Sequence, residues 1–150
     1  MTEGWIKSGC VLVFLIWNAC TDWKRKEIDL RSVGLFAVLG VALNLCFGLP
    51  DSTAGTVELI LGPALGLLVL TLGFVTAGGI GFGDGLVLCV TGLYLGGAGN
   101  LRMFLHGTVL CAVVLGTGCA LGKARWKDSF PLIPFLMAAY LGGLIWDMIN

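Results

Sequence analysis

The sequence alternates between apolar stretches close to membrane-spanning length and short polar connections. A helix that crosses a bilayer needs about 20 predominantly apolar residues. The connections are too short to hold a separate soluble domain, so we predict an all-α, polytopic membrane protein with six transmembrane helices in one domain, residues 1–150. The predicted spans are 5–20, 32–49, 57–77, 84 or 86 to 99, 102 or 103 to 121, and 130–149.

The composition excludes several classes of protein. Apolar residues make up 57% of the chain, a further 24 residues are glycine, and the nine basic and nine acidic residues cancel. A folded chain of this length still exposes about 30% of the surface of its unfolded form, so it cannot hide this much apolar surface from water. These values exclude a soluble globular domain, a disordered chain and an electrostatic binder of nucleic acid.

Glycine spacing predicts how closely the helices pack. Glycines one helical turn apart allow two backbones to approach each other. This spacing occurs at Gly62-x-x-x-Gly66, Gly92-x-x-x-Gly96 and Gly118-x-x-x-Gly122.

The basic residues are distributed unevenly between the two sides of the predicted bundle. Lys7 and Arg102 lie on one side, and the other seven lie in the first and fifth connections. Cytoplasmic loops carry an excess of Lys and Arg, so we expect the odd-numbered connections to face the cytoplasm and both termini to face outward. The seven are Lys24, Arg25, Lys26, Arg31, Lys123, Arg125 and Lys127.

Two aspartates border apolar stretches on the predicted cytoplasmic side. Asp22 follows the first stretch, and Asp84 lies in the glycine-rich segment 78–85. Carboxylates at membrane spans are costly and mark candidate functional sites. Two neighbouring carboxyl groups share one proton, so the ionised one can activate water while the protonated one polarises a peptide carbonyl. The pair predicts a protease site that needs no metal or cofactor. The glycines around Asp84 are expected to leave the backbone unwound for an extended substrate.

Three short motifs resemble those of one enzyme family. Gly81-Phe82-Gly83-Asp84 matches the Gly-x-Gly-Asp signature of intramembrane aspartyl proteases. The segment from Asp22 to Ile28 resembles the first-aspartate motif of prepilin peptidases. Residues 130–135, Phe-Pro-Leu-Ile-Pro-Phe, are similar to the Pro-x-x-Pro-Phe element that opens the last helix of that family. The motifs occur in the order and at the spacing of the family, over about residues 5–145.

The resemblance implies a six-helix type IV prepilin (leader) peptidase. Such enzymes cut the basic leader from prepilins and pseudopilins at the cytoplasmic face of the cell membrane. The implied partners are therefore these substrates and membrane lipids, with no nucleic acid. The implied catalytic residues are Asp22 and Asp84. The implied substrate-binding or site-shaping residues are Gly81, Gly83, Gly85, Lys24, Lys26, Pro131 and Pro134.

The chain also departs from the family pattern. Asp29-Leu30 follow Ile28 where the family often has Pro-Asn, and Leu86 stands where a Lys is common. Larger members carry a zinc-binding tetracysteine region and methylate the new N-terminus of the product. These 150 residues contain no such region, so we expect peptide cleavage and do not assign methylation.

Other interpretations of the aspartates remain open. Asp22 alone fits an interfacial residue beside basic side chains, and Asp84 alone fits the N-cap of the fourth span. A small transporter or channel could use Asp84 to bind a cation or a proton in a broken helix. A non-catalytic membrane scaffold for pilus assembly would need neither aspartate.

Overall fold

The fold is built from α-helices. The computed structural model describes residues 2–25, 28–48, 52–76, 81–121 and 132–149. These ranges contain five helices and no strand, which confirms the all-α prediction. The helices are α1 (Thr2–Arg25), α2 (Leu30–Cys46), α3 (Thr53–Val75), α4 (Phe82–Ala120) and α5 (Ile133–Ile149).

The helices differ in their capacity to cross a bilayer. Three are long and apolar enough to span it, namely α3, α4 and the Gly4–Trp23 part of α1. Helices α2 and α5 are also apolar but have 17 residues each. Many large apolar side chains are exposed, as on Phe74 and Val75 at the end of α3, which are 77% and 80% exposed. Such a surface suits contact with lipid.

Helix α4 contains a sharp reversal at Gly96. This residue has φ 69° and ψ −176°, a backbone conformation that glycine adopts most readily. Asn100 Nδ2 donates a 2.9 Å hydrogen bond to the carbonyl oxygen of Leu88, twelve residues earlier. In a continuous helix twelve residues rise about 18 Å, so this bond requires the chain to fold back. The predicted fourth and fifth spans therefore correspond to two helical segments, 82–95 and 97–120, that meet at Gly96.

Helices α3 and α4 pack with their backbones in contact. A Cβ on Gly62 would overlap the carbonyl group of Gly92, and a Cβ on Gly66 would overlap the backbone of Cys89. The close packing predicted from Gly62 and Gly66 is thus confirmed. Gly92 also packs as predicted, whereas Gly96 serves the chain reversal. The third pair cannot be judged, because residue 122 lies outside the described residues.

Buried asparagines tie the helices together. Asn18 of α1 is fully buried and accepts a 3.2 Å hydrogen bond from Ser32 Oγ of α2. Asn44 of α2 donates a 2.8 Å hydrogen bond to the carbonyl oxygen of Leu93 in α4. Asn100 of α4 is the third buried asparagine. Within the described residues, no buried side-chain nitrogen or oxygen lacks a hydrogen-bond partner. The cost of placing these amides in an apolar interior is therefore offset.

The apolar core lies where α1, α4 and α5 meet. Helix α4 contacts each of the other four helices, and α5 also packs against α1. The fully buried apolar side chains are Val11, Phe14, Leu15, Val87, Leu88, Ile133 and Leu136. This core joins the end of α1 to the first turn of α4, where the two predicted catalytic residues lie.

Candidate active site

Asp84 lies in the first turn of α4. Gly81 is the N-cap residue with an extended backbone (φ −62°, ψ 118°), and the N–H of Asp84 donates a 3.1 Å hydrogen bond to the Gly81 carbonyl oxygen. The helix begins at Phe82, so Gly83 and Gly85 are helical. The expected unwound backbone is therefore absent from residues 82–85, while residues 77–80 lie outside the described ones.

Gly81 accommodates the Asp84 carboxylate. A Cβ built on Gly81 would lie 2.7 Å from Asp84 Oδ2, closer than carbon and oxygen atoms approach without a bond. The carboxylate therefore folds back over a position that only glycine leaves open.

The structure places Asp22 within electrostatic range of Asp84. Asp22 is half-buried near the end of α1. It lies close enough to Asp84 for the two carboxylates to interact electrostatically. Two carboxylates from distant parts of the sequence thus share one region of the molecule.

Hydrogen bonds hold the end of α1 against the start of α2. Asn18 lies one helical turn before Asp22 and accepts the hydrogen bond from Ser32 described above. Trp17 Nε1 donates a 3.4 Å hydrogen bond to Asp29 Oδ2, and Asp29 is the N-cap of α2. The residue that departs from the family pattern after Ile28 thus has a structural role here. These bonds join α1 to α2 at positions four and five residues before Asp22.

The glycines on either side of Asp84 allow neighbouring chain to approach. A Cβ on Gly83 would overlap the Ile28 side chain, with Cγ1 2.7 Å away and Cδ1 closer still. A Cβ on Gly85 would lie 2.6 Å from Leu70 Cγ in α3. Glycine is therefore needed at these two positions for space rather than for an unusual backbone conformation.

A groove of about 300 Å³ lies beside Asp84. It is bounded by α3, by both segments of α4 and by the residue that precedes α5. Among the described residues that line it, Asp84 is the only ionisable one. The surface that the groove exposes is apolar, and Asp84 borders it. Its lining includes Leu65, Leu72, Asp84, Phe104, Thr108 and Leu132.

The proline-containing motif also reaches this site. Leu132, inside that motif, lines the groove, and the next residue, Ile133, is fully buried in the core. Pro134 is half-buried in the first turn of α5. Three of the predicted site positions cannot be placed, because residues 26 and 131 and the side chain of residue 24 lie outside the described part of the chain.

Sequence reasoning missed several residues at the site. Ile28 belongs to a recognised motif, but nothing in the motif indicates that it packs on Gly83. Phe104 and Thr108 carry no local signal. They reach the groove only because α4 reverses at Gly96.

Comparison with known families identifies the chain. A model of the type IV leader peptidase family matches residues 10–146, which include both aspartates and all three motifs. The chain belongs to the type IV leader peptidase family. The family predicted from the motifs is confirmed, and the protein is a multi-pass membrane peptidase. Searches of curated proteins and of solved structures gave no match.

Proposed function

We propose that this peptidase is an intramembrane aspartyl endopeptidase. It cleaves the basic leader of prepilin or pseudopilin substrates at the cytoplasmic face of the cell membrane, with Asp22 and Asp84 as the catalytic pair. The observation that carries the proposal is the convergence of three separate motifs at Asp84. Asp22 is within electrostatic reach of it, Ile28 packs on the adjacent Gly83, and Leu132 lines the same groove.

The proposed reaction uses the two carboxyl groups in complementary protonation states. The ionised group takes a proton from water as the water oxygen attacks the scissile carbonyl carbon, and the protonated group donates its proton to the carbonyl oxygen. The tetrahedral intermediate then breaks its C–N bond as the leaving nitrogen takes the proton that the first carboxyl group removed from water. The second carboxylate regains a proton from a hydroxyl group of the intermediate, which restores the starting pair. Neighbouring carboxylates suit this chemistry because together they retain one proton. No step in this scheme requires a metal or a cofactor.

The proposed topology places six helical segments across the membrane. Counting α4 as two segments that meet at Gly96 gives this number. Asp22 lies near the end of α1 beside the basic first connection, so the positive-inside rule favours a cytoplasmic site. Lys24 and Lys26 would then contact anionic lipid head groups. Pro131 and Pro134 would shape the start of α5.

The groove favours a substrate with apolar residues near the scissile bond. The surface that it exposes is apolar and borders Asp84, so it suits a peptide that partly enters the membrane. A basic leader would remain at the polar face. This division fits cleavage at the boundary between a basic and an apolar segment.

Leader cleavage by the purified full chain in proteoliposomes tests the proposal. The substrate is a prepilin-type protein with a basic leader, and the variants are Asp22→Asn and Asp84→Asn. Each is expected to lower kcat by about 10³-fold or more, because each removes one of two groups that act as a unit. Asp147→Asn in α5 is the matched control and should keep normal activity, since Asp147 is exposed and belongs to none of the three motifs.

Two results would contradict the proposal. Full cleavage by either the Asp22→Asn or the Asp84→Asn variant would exclude the catalytic pair. Cation or proton flux that depends on Asp84 in the same proteoliposomes, without cleavage of any substrate, would favour the transporter alternative.

A further inference from the structure

Ile28 forms the direct packing contact between the segment that follows Asp22 and the residue that precedes Asp84. Its side chain is half-buried and lies against the Cα of Gly83, where any Cβ would overlap it. Ile28 also packs against the apolar core. The contact therefore joins the two aspartate-bearing segments from within the protein.

Each side of this contact is connected to one aspartate. On one side, Ile28 precedes Asp29, whose bond to Trp17 ties the start of α2 to the end of α1 near Asp22. On the other side, Gly83 is bonded directly to Asp84 in the first turn of α4. The Ile28–Gly83 contact thus lies between two segments that each carry one of the two carboxylates.

We propose that Ile28 is a positioning residue, which sets the separation of the Asp22 and Asp84 carboxylates by packing against Gly83. The inference rests on the proposed function insofar as it treats these two aspartates as the catalytic pair. Ile28 does not touch the reacting atoms in this assignment. It acts through the distance between the groups that do.

A size exchange, in which the side chain at position 83 is enlarged and the one at position 28 is shortened, tests the contact. Gly83→Ala adds a methyl group where Ile28 lies, while Ile28→Ala removes the overlapping Cδ1 and Cγ1 atoms and leaves its Cβ 3.6 Å from the new methyl carbon. An ångström-scale misplacement can cost about 100-fold in rate, so we expect each single variant to lose about 10-fold or more in kcat. The double variant should recover to within about 3-fold of the unmodified enzyme, because the methyl group added at position 83 no longer meets the Cδ1 and Cγ1 atoms of Ile28 and fills part of the space that they leave.

A control separates this effect from a general effect of alanine in a helix. Gly116→Ala changes another glycine of α4 that has no atom within 4 Å of its Cβ position, and it should leave kcat unchanged. If Gly83→Ala is as active as Gly116→Ala, or if the double variant is no better than the worse single one, the proposal is overturned.

The pH profile distinguishes positioning from loss of folded protein. Loss of folded protein lowers kcat by the same factor at every pH. A changed separation alters how the two carboxyl groups share a proton. The pH values at which kcat rises and falls should therefore shift in the single variants and return to those of the unmodified enzyme in the double variant. Single variants with an unchanged profile shape would overturn the proposal.

A cross-linking measurement makes the inference independent of activity. Asp22→Cys/Asp84→Cys is introduced into a full-length chain whose six cysteines are replaced. The rate of disulfide formation is then compared with and without Gly83→Ala and Ile28→Ala. We expect this rate to fall in each single variant and to recover in the double one. Rates of disulfide formation that do not change when Ile28 is replaced would refute the positioning role.

The two measurements separate the inference from the proposed function. Cross-linking that follows the size exchange, together with an unmodified chain that cleaves no leader, would retain the positioning role and reject the peptidase mechanism. If cleavage requires both aspartates but the cross-linking rate does not depend on position 28, the peptidase mechanism is retained and the positioning role is rejected. If the cysteine-free chain does not fold, the size exchange and the pH profile decide the inference on their own.

Discussion

The carboxylate of Glu58 accepts a 2.7 Å hydrogen bond from the backbone N–H of Ala98, two residues after the chain reverses at Gly96. The first N–H groups of a helix have no partner inside that helix, and a carboxylate also interacts favourably with the helix dipole. A side chain of α3 thus caps the second segment of α4. The reversal is held from the neighbouring helix as well as by its own glycine.

Removing this cap should weaken the fold. We expect Glu58→Ala to lower the free energy of unfolding by about 0.5–2 kcal/mol, the usual range for loss of a helix cap. Glu58→Gln keeps an acceptor oxygen and should lose less. Unfolding of the two variants in detergent micelles, followed by circular dichroism, measures the difference. Equal stability of Glu58→Ala and the unmodified chain would show that the cap is not needed.

Asn100 should contribute strongly to the stability of the fold. Its Nδ2 donates 2.9 Å hydrogen bonds to the carbonyl oxygens of both Gly62 and Leu88. Asn100→Leu leaves these buried oxygens without this donor, so we expect a loss of about 1–3 kcal/mol in the same unfolding experiment. Thr117→Val is the matched control, because Thr117 is exposed and bonds only to its own helix. Equal effects of the two substitutions would contradict the role of Asn100 in holding the reversal.

Two Gly→Ala substitutions should change stability in opposite directions. Gly62→Ala forces α3 away from Gly92, and we expect a loss of about 1–3 kcal/mol from overpacking. Gly34→Ala in α2 has nothing within 4 Å of its Cβ position, so it should gain up to about 1 kcal/mol from higher helix propensity. Thermal unfolding of both variants under one set of conditions measures the contrast. A stabilising Gly62→Ala would contradict the backbone contact between α3 and α4.

Gly81→Ala should reduce cleavage without unfolding the protein. The new Cβ would lie 2.7 Å from Asp84 Oδ2 and displace the carboxylate, while the N-cap residue has an ordinary negative φ that alanine tolerates. We expect kcat to fall by about 10-fold or more, since small displacements of a catalytic group are costly. The unfolding midpoint should shift no more than that of Gly116→Ala. Normal kcat in Gly81→Ala would remove Asp84 from the reaction or show that its carboxylate moves without consequence.

The sequence alone was sufficient for the helical class and the family. In lipid each spanning segment must satisfy its backbone hydrogen bonds internally, so an apolar stretch of sufficient length predicts a helix without knowledge of its neighbours. The motifs are also local, since each is contiguous in the chain, and they led to the leader peptidase family. Their residues could therefore be recognised before their positions in space were known.

The limits of the helices within α4 required the tertiary structure. The fourth predicted span ended at about residue 99 and the fifth began at 102 or 103, yet the reversal occurs at Gly96, and Asn100 in the predicted connection is fully buried. The amide of Asn100 bonds to Leu88 across the reversal and to Gly62 in α3, and hydropathy cannot distinguish such a buried polar residue from one in a loop.

The environment of Asp84 also depended on the tertiary structure. The glycines beside it predicted an open backbone, but Gly83 and Gly85 are helical and make room for Ile28 and Leu70. A glycine needed for space and a glycine needed for backbone freedom look the same in a sequence. Only the positions of the neighbouring atoms separate the two, because close packing depends on residues that are distant along the chain.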